Sequence, residues 1–245
     1  MTLVESRGVG GRASLLGTTP PPPGEPELRW SRFVPATAAE GPGVRAAVWV
    51  QGCAVRCPGC FNPHLWATRG ARLGDPAERA AEWVDAAVAA GAEGITLLGG
   101  EPFDQADALA VVAEAFRDAG LGVMAFSGYT FERLQEWSRD RPDIARLLAA
   151  TDLLCDGPYL ADLPDTRRPW IGSRNQAIRA LTPRYAAEVE RIARDGGGDA
   201  LEVRIAADGT VAVNGWATDA ALAALLDDLG VRGDRAASLR KEPSR

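Results

Sequence analysis

The chain has 245 residues, 46% of them hydrophobic and 24% charged, a composition that excludes wholesale disorder and collagen-like or coiled-coil chains. Its net charge of -6, from 27 basic and 33 acidic side chains, supplies no general field for nucleic acid or anionic lipid, and neither partner is expected. Four cysteines and one histidine exclude a disulfide scaffold and leave few groups for metal ligation or imidazole catalysis.

Residues 1–28 are Gly-rich and then Pro-rich, with Pro20 to Pro23 followed by Gly24 and Pro26, and read as a disordered, extended arm. No apolar run there reaches the length of an export signal, and no stretch in the chain is long enough to span a membrane. A cytoplasmic protein is therefore expected, in which clustered cysteines point to metal or catalysis. The folded domain is placed at 29–230, and residues 231–245 as a polar tail.

Val44 to Gln51 reads as a buried strand running into a cysteine loop. Pro76 to Ala90 reads as a helix with Asp75 as N-cap and Pro76 in the first turn. Gly94 to Leu98 is a short strand followed by Gly-Gly, and Asp104 to Ala119 an amphipathic helix closed by Gly120. Leu121 to Phe126 is the next strand and Thr130 to Trp137 the next helix; Asp152 to Cys155 is a further strand after the apolar stretch Ile144 to Ala149. This β-α-β-α order predicts an α/β fold with a parallel sheet, whose ligands gather where the strands end. Beyond residue 175 the pattern changes. Leu201 to Ile205 and Val211 to Val213 flank Asp208-Gly209 as an antiparallel hairpin, and Thr218 to Leu229 is a last helix.

Cys53, Cys57 and Cys60 form a C-x3-C-x2-C string directly after the first predicted strand. Iron–sulfur clusters usually take four cysteines; with three, a [4Fe-4S] cluster keeps one iron open for a ligand that is not protein. The competing reading is a Cys3His zinc site completed by His64, although zinc ligands normally fall into two separated pairs. An electron carrier is the other non-enzymatic reading.

The string C-x3-C-x2-C resembles the cluster motif of the radical S-adenosylmethionine enzymes. EGPGVR (Glu40 to Arg45), WVQGC (Trp49 to Cys53) and CPGCFNPHLW (Cys57 to Trp66) are similar to the opening of the glycyl-radical-enzyme activases and the anaerobic ribonucleotide reductase activating proteins. One departure is Gly59, where many superfamily members carry an aromatic residue; Phe61 supplies a ring just after the third cysteine. The resemblance continues in order through GGEP (Gly99 to Pro102), FSGYT (Phe126 to Thr130), CDGPYL (Cys155 to Leu160) and GSRNQAI (Gly172 to Ile178).

The resemblance implies an incomplete, TIM-like β/α barrel. Cys53, Cys57 and Cys60 would hold three irons of a [4Fe-4S] cluster, and the fourth would be chelated by S-adenosyl-L-methionine. Gly99, Gly100, Glu101, Pro102, Ser127 and Asn175 would line the cofactor. No side chain is assigned as catalyst, because the 5′-deoxyadenosyl radical is carried by the cofactor. The implied target is a glycine in a partner glycyl radical enzyme, with flavodoxin or ferredoxin as electron donor; a radical enzyme acting on a small metabolite or peptide is the alternative.

Overall fold

The structure, a computed structural model, describes residues 27–205, 211–215 and 219–228. The expected arm, the polar tail and the Asp208-Gly209 turn lie outside these, apart from Glu27 and Leu28. Four strands run parallel in chain order: β2 (Arg45–Val50), β4 (Gly94–Gly99), β5 (Gly122–Ser127) and β6 (Leu153–Asp156). They are flanked by antiparallel strands absent from the sequence expectation. β1 (Leu28–Thr37) pairs with β2 and carries β3 (Arg72–Gly74) on its outer side, while β7 (Ala177–Ala180) pairs with β6. The sheet order is β3-β1-β2-β4-β5-β6-β7.

The connections are helical. α1 (Pro76–Ala89) starts as its sequence predicts, with the Asp75 carboxylate accepting from the N–H groups of Ala77 and Glu78 at 2.9 Å each. The segment expected as one helix from Asp104 begins instead as a tight turn, Pro102–Gln105, before α2 (Ala106–Asp118). The reason is local: Glu101 caps the turn at Phe103 N–H, and the Asp104 carboxylate is drawn sideways to other loops. Thr130 caps α3 (Phe131–Trp137). The apolar stretch before β6 is α4 (Pro142–Ala150), with Pro142 in its first turn. α5 (Ala186–Asp195) follows β7; the hairpin β8 (Leu201–Ile205) with β9 (Val211–Gly215) is antiparallel as expected, and α6 spans Asp219–Asp228.

Side chains alternate between the two sheet faces with period two. Ala46, Val48, Ile95, Leu97, Val123 and Leu154 join the main core, where α1, α2 and α4 bury Trp83, Leu109, Phe116, Ile144 and Leu147. Full burial of each larger side chain contributes about 1.5–3 kcal/mol. The other face carries a smaller cluster of Met124, Leu153, Cys155 and Ile171. Arg45 at the start of β2 is fully buried; it donates to Thr96 Oγ1 (2.9 Å), the Ile95 and Gly122 carbonyls (2.7 and 3.1 Å) and the Tyr185 hydroxyl (2.6 Å). Burial lowers its pKa, with Tyr185 partly opposing the shift.

Because β2, β4, β5 and β6 are parallel, their C-terminal ends lie along one edge of the sheet. The cysteine loop, GGEP, FSGYT and CDGPYL each follow one of these ends.

Candidate functional site

The cysteine loop leaves β2 through Gly52, whose φ of 105° is in the left-handed region; Arg56 (51°) and Gly59 (80°) share that region and curl the loop. Its base is fastened to the following segment. Gly52 N–H donates to the Leu65 carbonyl at 2.8 Å, Cys53 N–H to Trp66 at 3.1 Å, and the Gln51 side chain to the carbonyls of Ala67 and Arg69. Cys53, Cys57 and Cys60 are all half-buried and free of disulfides.

Backbone donors face the three sulfurs: Val55 and Arg56 toward Cys53, Tyr159 toward Cys57, and Asn62 N–H toward Cys60 Sγ at 3.3 Å. Such donors suit thiolates bound to a cluster. For the free thiols, burial outweighs them and pushes Cys53 up to about 12, with Cys57 also raised. Metal loading therefore has to displace protons. Among the described residues, no three His, Cys, Asp or Glu side chains are gathered as a site for one metal ion. A cubane distributes its cysteines over separate irons, unlike the convergent donors of a zinc site.

GGEP stands beside this loop. A Cβ on Gly99 would lie 2.7 Å from Trp49 Cα and Val50 N, and one on Gly100 would collide with the Gly52 carbonyl. The clearance of these glycines is thus used for backbone approach to the cysteine segment, sealed by Gly100 N–H to Val50 O and Glu101 N–H to Gly52 O, each 2.8 Å. Pro102, buried, starts the turn.

Glu101 is 1% exposed. Its Oε1 accepts from Phe103 N–H (2.9 Å) and the Ser127 hydroxyl (3.0 Å), and Oε2 from Gly128 N–H (2.7 Å). A carboxylate has about four acceptor positions, so these donors leave room for one more. Burial first, and then the charge of Asp104, push its pKa up to about 8. Ser127 therefore bonds the acid at the neighbouring strand end, and its oxygen also accepts from Tyr129 N–H at 3.1 Å.

Asn175 is exposed, and its side-chain amide donates to the Pro158 carbonyl at 2.7 Å. Gln176 Nε2 donates to Gly157 O, while its Oε1 accepts from the Gly172 and Ser173 N–H groups. These amides bind GSRNQ to CDGPYL. Asp156, buried at the end of β6, accepts from Phe131 N–H and pairs with Arg179 at 2.7 Å. Cys155 is buried within β6, apart from the cysteine loop.

Sequence reasoning passed over Asp104, Gln105 and Tyr129. Asp104 Oδ2 accepts from Ala54 N–H at 2.7 Å and Oδ1 from the Tyr129 hydroxyl at 2.8 Å. Gln105 bonds the Arg29 backbone in both directions and the Gln51 carbonyl. The available signal was an acid and an amide directly after GGEP, at the start of the expected helix; the structure buries Gln105 and half-buries Asp104. The Phe61 ring meets Tyr159 at 5.2 Å, joining the third cysteine's flank to CDGPYL.

A family profile described as a 4Fe-4S single cluster domain matches residues 39–179, more than half of the chain. The chain is 30% identical over 164 residues to the anaerobic ribonucleoside-triphosphate reductase-activating protein of Salmonella typhi, a match covering 63% of this chain and 99% of the relative. The protein of the same name from Escherichia coli K12 is 27% identical over the same shares. The pyruvate formate-lyase-activating enzyme of Streptococcus mutans is 30% identical over 162 residues, covering 62% of this chain and 57% of that enzyme. With the profile spanning the cysteine loop and the other three strand-end motifs, the chain belongs to the 4Fe-4S single cluster domain family.

Proposed function

We propose that this protein is a radical S-adenosylmethionine activase that generates a glycyl radical in a partner enzyme. The observation that carries the reading is the placement of C-x3-C-x2-C, GGEP, FSGYT and CDGPYL at the ends of four consecutive parallel strands, in a chain whose relatives are named as activating proteins. Four adjacent parallel strands with helices packed on one face support the finer reading of the sheet as part of an incomplete β/α barrel. The domain is assigned to residues 29–230.

Cys53, Cys57 and Cys60 are assigned as ligands of a [4Fe-4S] cluster, and the backbone N–H groups around their sulfurs offset the charge of the thiolates. Bound there, the reduced cluster and S-adenosylmethionine supply a 5′-deoxyadenosyl radical for hydrogen abstraction. Glu101 offers its remaining acceptor position to the methionine ammonium. Ser127 and Gly128 hold that carboxylate in place, and Gly99, Gly100 and Pro102 fix its distance from the cysteine loop. Asn175 and Gln176 keep the far rim ordered against CDGPYL. Flavodoxin or ferredoxin is assigned as donor. The described residues contain no helix long and apolar enough to cross a membrane.

The test is anaerobic reconstitution of the full chain with iron and sulfide, followed by dithionite and S-adenosylmethionine. A broad absorption band near 400 nm that bleaches on reduction, with 5′-deoxyadenosine formed, is expected. A colourless metal-bound protein, or an iron-loaded one that forms no 5′-deoxyadenosine, overturns the proposal. Deuterium passing from a glycine-labelled partner enzyme into 5′-deoxyadenosine distinguishes an activase from an enzyme acting on a small molecule.

A further inference from the structure

The turn Glu101–Gln105 holds two loops at once. Toward the cysteine loop it presents Glu101 N–H to Gly52 O (2.8 Å), the Gln105 amide to Gln51 O (3.1 Å) and Asp104 Oδ2 to Ala54 N–H (2.7 Å). Toward FSGYT it presents the Glu101 carboxylate to Ser127 and Gly128, and Asp104 Oδ1 to the Tyr129 hydroxyl (2.8 Å). Most of these bonds are local to one loop. Asp104 alone among these five residues bonds a residue of each loop through its side chain, with one oxygen for each.

The position of Ala54 makes that link consequential. It lies between Cys53 and the left-handed Arg56, where the loop makes its first curl. A backbone N–H at such a curl has no sheet or helix partner, and at the exposed Ala54 the Asp104 carboxylate supplies a charged acceptor in its place. On the other side, the Tyr129 ring is 3% exposed and packs edge-on against Trp137 at 4.8 Å, so the hydroxyl is delivered by a wedged side chain. A carboxylate held between a fixed phenol and a loop N–H transmits the position of one to the other.

We propose that Asp104 is a positioning residue: a strut between Ala54 and Tyr129 that sets the cysteine loop and couples its position to the FSGYT loop. The inference rests on the reading of Cys53, Cys57 and Cys60 as cluster ligands only for its consequence, an ordered ligand set.

The test is amide hydrogen exchange on the full-length protein without iron, followed in peptides covering residues 52–60 and 126–130. Asp104→Ala removes both acceptor oxygens, and the loss of a hydrogen bond to a charged group should speed exchange in the 52–60 peptide about tenfold or more. Peptides from α1 and β4 should be unchanged. Tyr129→Phe removes only the far end of the strut, and severalfold faster exchange in the 52–60 peptide is expected there too. This second variant covers the case in which Asp104→Ala does not fold. Asp104→Ala should also take up less iron and sulfide on reconstitution than the wild type. Unchanged exchange in the 52–60 peptide in both variants overturns the strut, as does faster exchange spread evenly over the whole chain in both. Failure of the wild type to take up iron would instead defeat the cluster reading and leave the exchange result to decide on the strut.

Discussion

The Ser127 hydroxyl donates to Glu101 Oε1 at 3.0 Å, so two residues from adjacent strand ends form one buried unit. Removing the hydroxyl strips a donor from a carboxylate that water does not reach. Ser127→Ala should cost about 1–3 kcal/mol of stability. It should also raise the S-adenosylmethionine concentration needed for half-maximal 5′-deoxyadenosine formation, with iron content unchanged. Thermal denaturation of the empty protein and a cofactor titration of the loaded one read the two effects separately.

The pH dependence follows from the same acid. In the unfolded chain Glu101 titrates near its ordinary 4.5, and in the folded chain at about 8, raised first by burial and then by Asp104. Asp104 is raised in the same direction by burial. A raised carboxyl favours the protonated folded state, so this contribution is fully present below 4.5 and is lost as pH climbs through about 8. Cys53 acts in the same sense only above its ordinary 9.0. Urea denaturation of the cluster-free protein should show stability falling across the lower interval, and Glu101→Gln should flatten that slope.

Gly100 and Gly198 predict opposite outcomes for one added methyl group. At Gly100 the new Cβ meets the Gly52 carbonyl, whereas at Gly198 nothing lies within 4 Å. Gly100→Ala should destabilise by about 2–4 kcal/mol or displace the cysteine loop. Gly198→Ala should stay within about 0.5 kcal/mol of the parent. Melting temperatures and iron uptake check both.

The four cysteines should divide three to one. Alanine at Cys53, Cys57 or Cys60 should abolish the absorption band near 400 nm after reconstitution. Cys155→Ala should keep the band and cost about 1 kcal/mol, because that thiol is buried core within β6. Iron and sulfide analysis of the four variants is sufficient.

The parallel strands and the motifs at their ends could be read from the sequence because each combines a short apolar run with a glycine or cysteine punctuation. β1 could not, since Pro35 interrupts it; the structure accommodates that proline where the pairing with β2 shifts register between Val34 and Thr37. Four half-buried residues, Ala177 to Ala180, have no strand pattern of their own, and β7 exists through its pairing with β6. The candidate ligands were legible from spacing. The partners of Glu101 and Asp104 were not, because Gly128, Ala54 and Tyr129 are brought to them by sheet order.

Arg45 sits at the far edge of the sheet from all of these loops. Its guanidinium reaches the first residues of β4 and β5 from the first residue of β2, through the carbonyls of Ile95 and Gly122. The three strands are riveted at that end, like the ribs of a fan at its handle. Any spreading of these strands is thereby confined to the opposite rim, where the cysteine loop, GGEP and FSGYT stand.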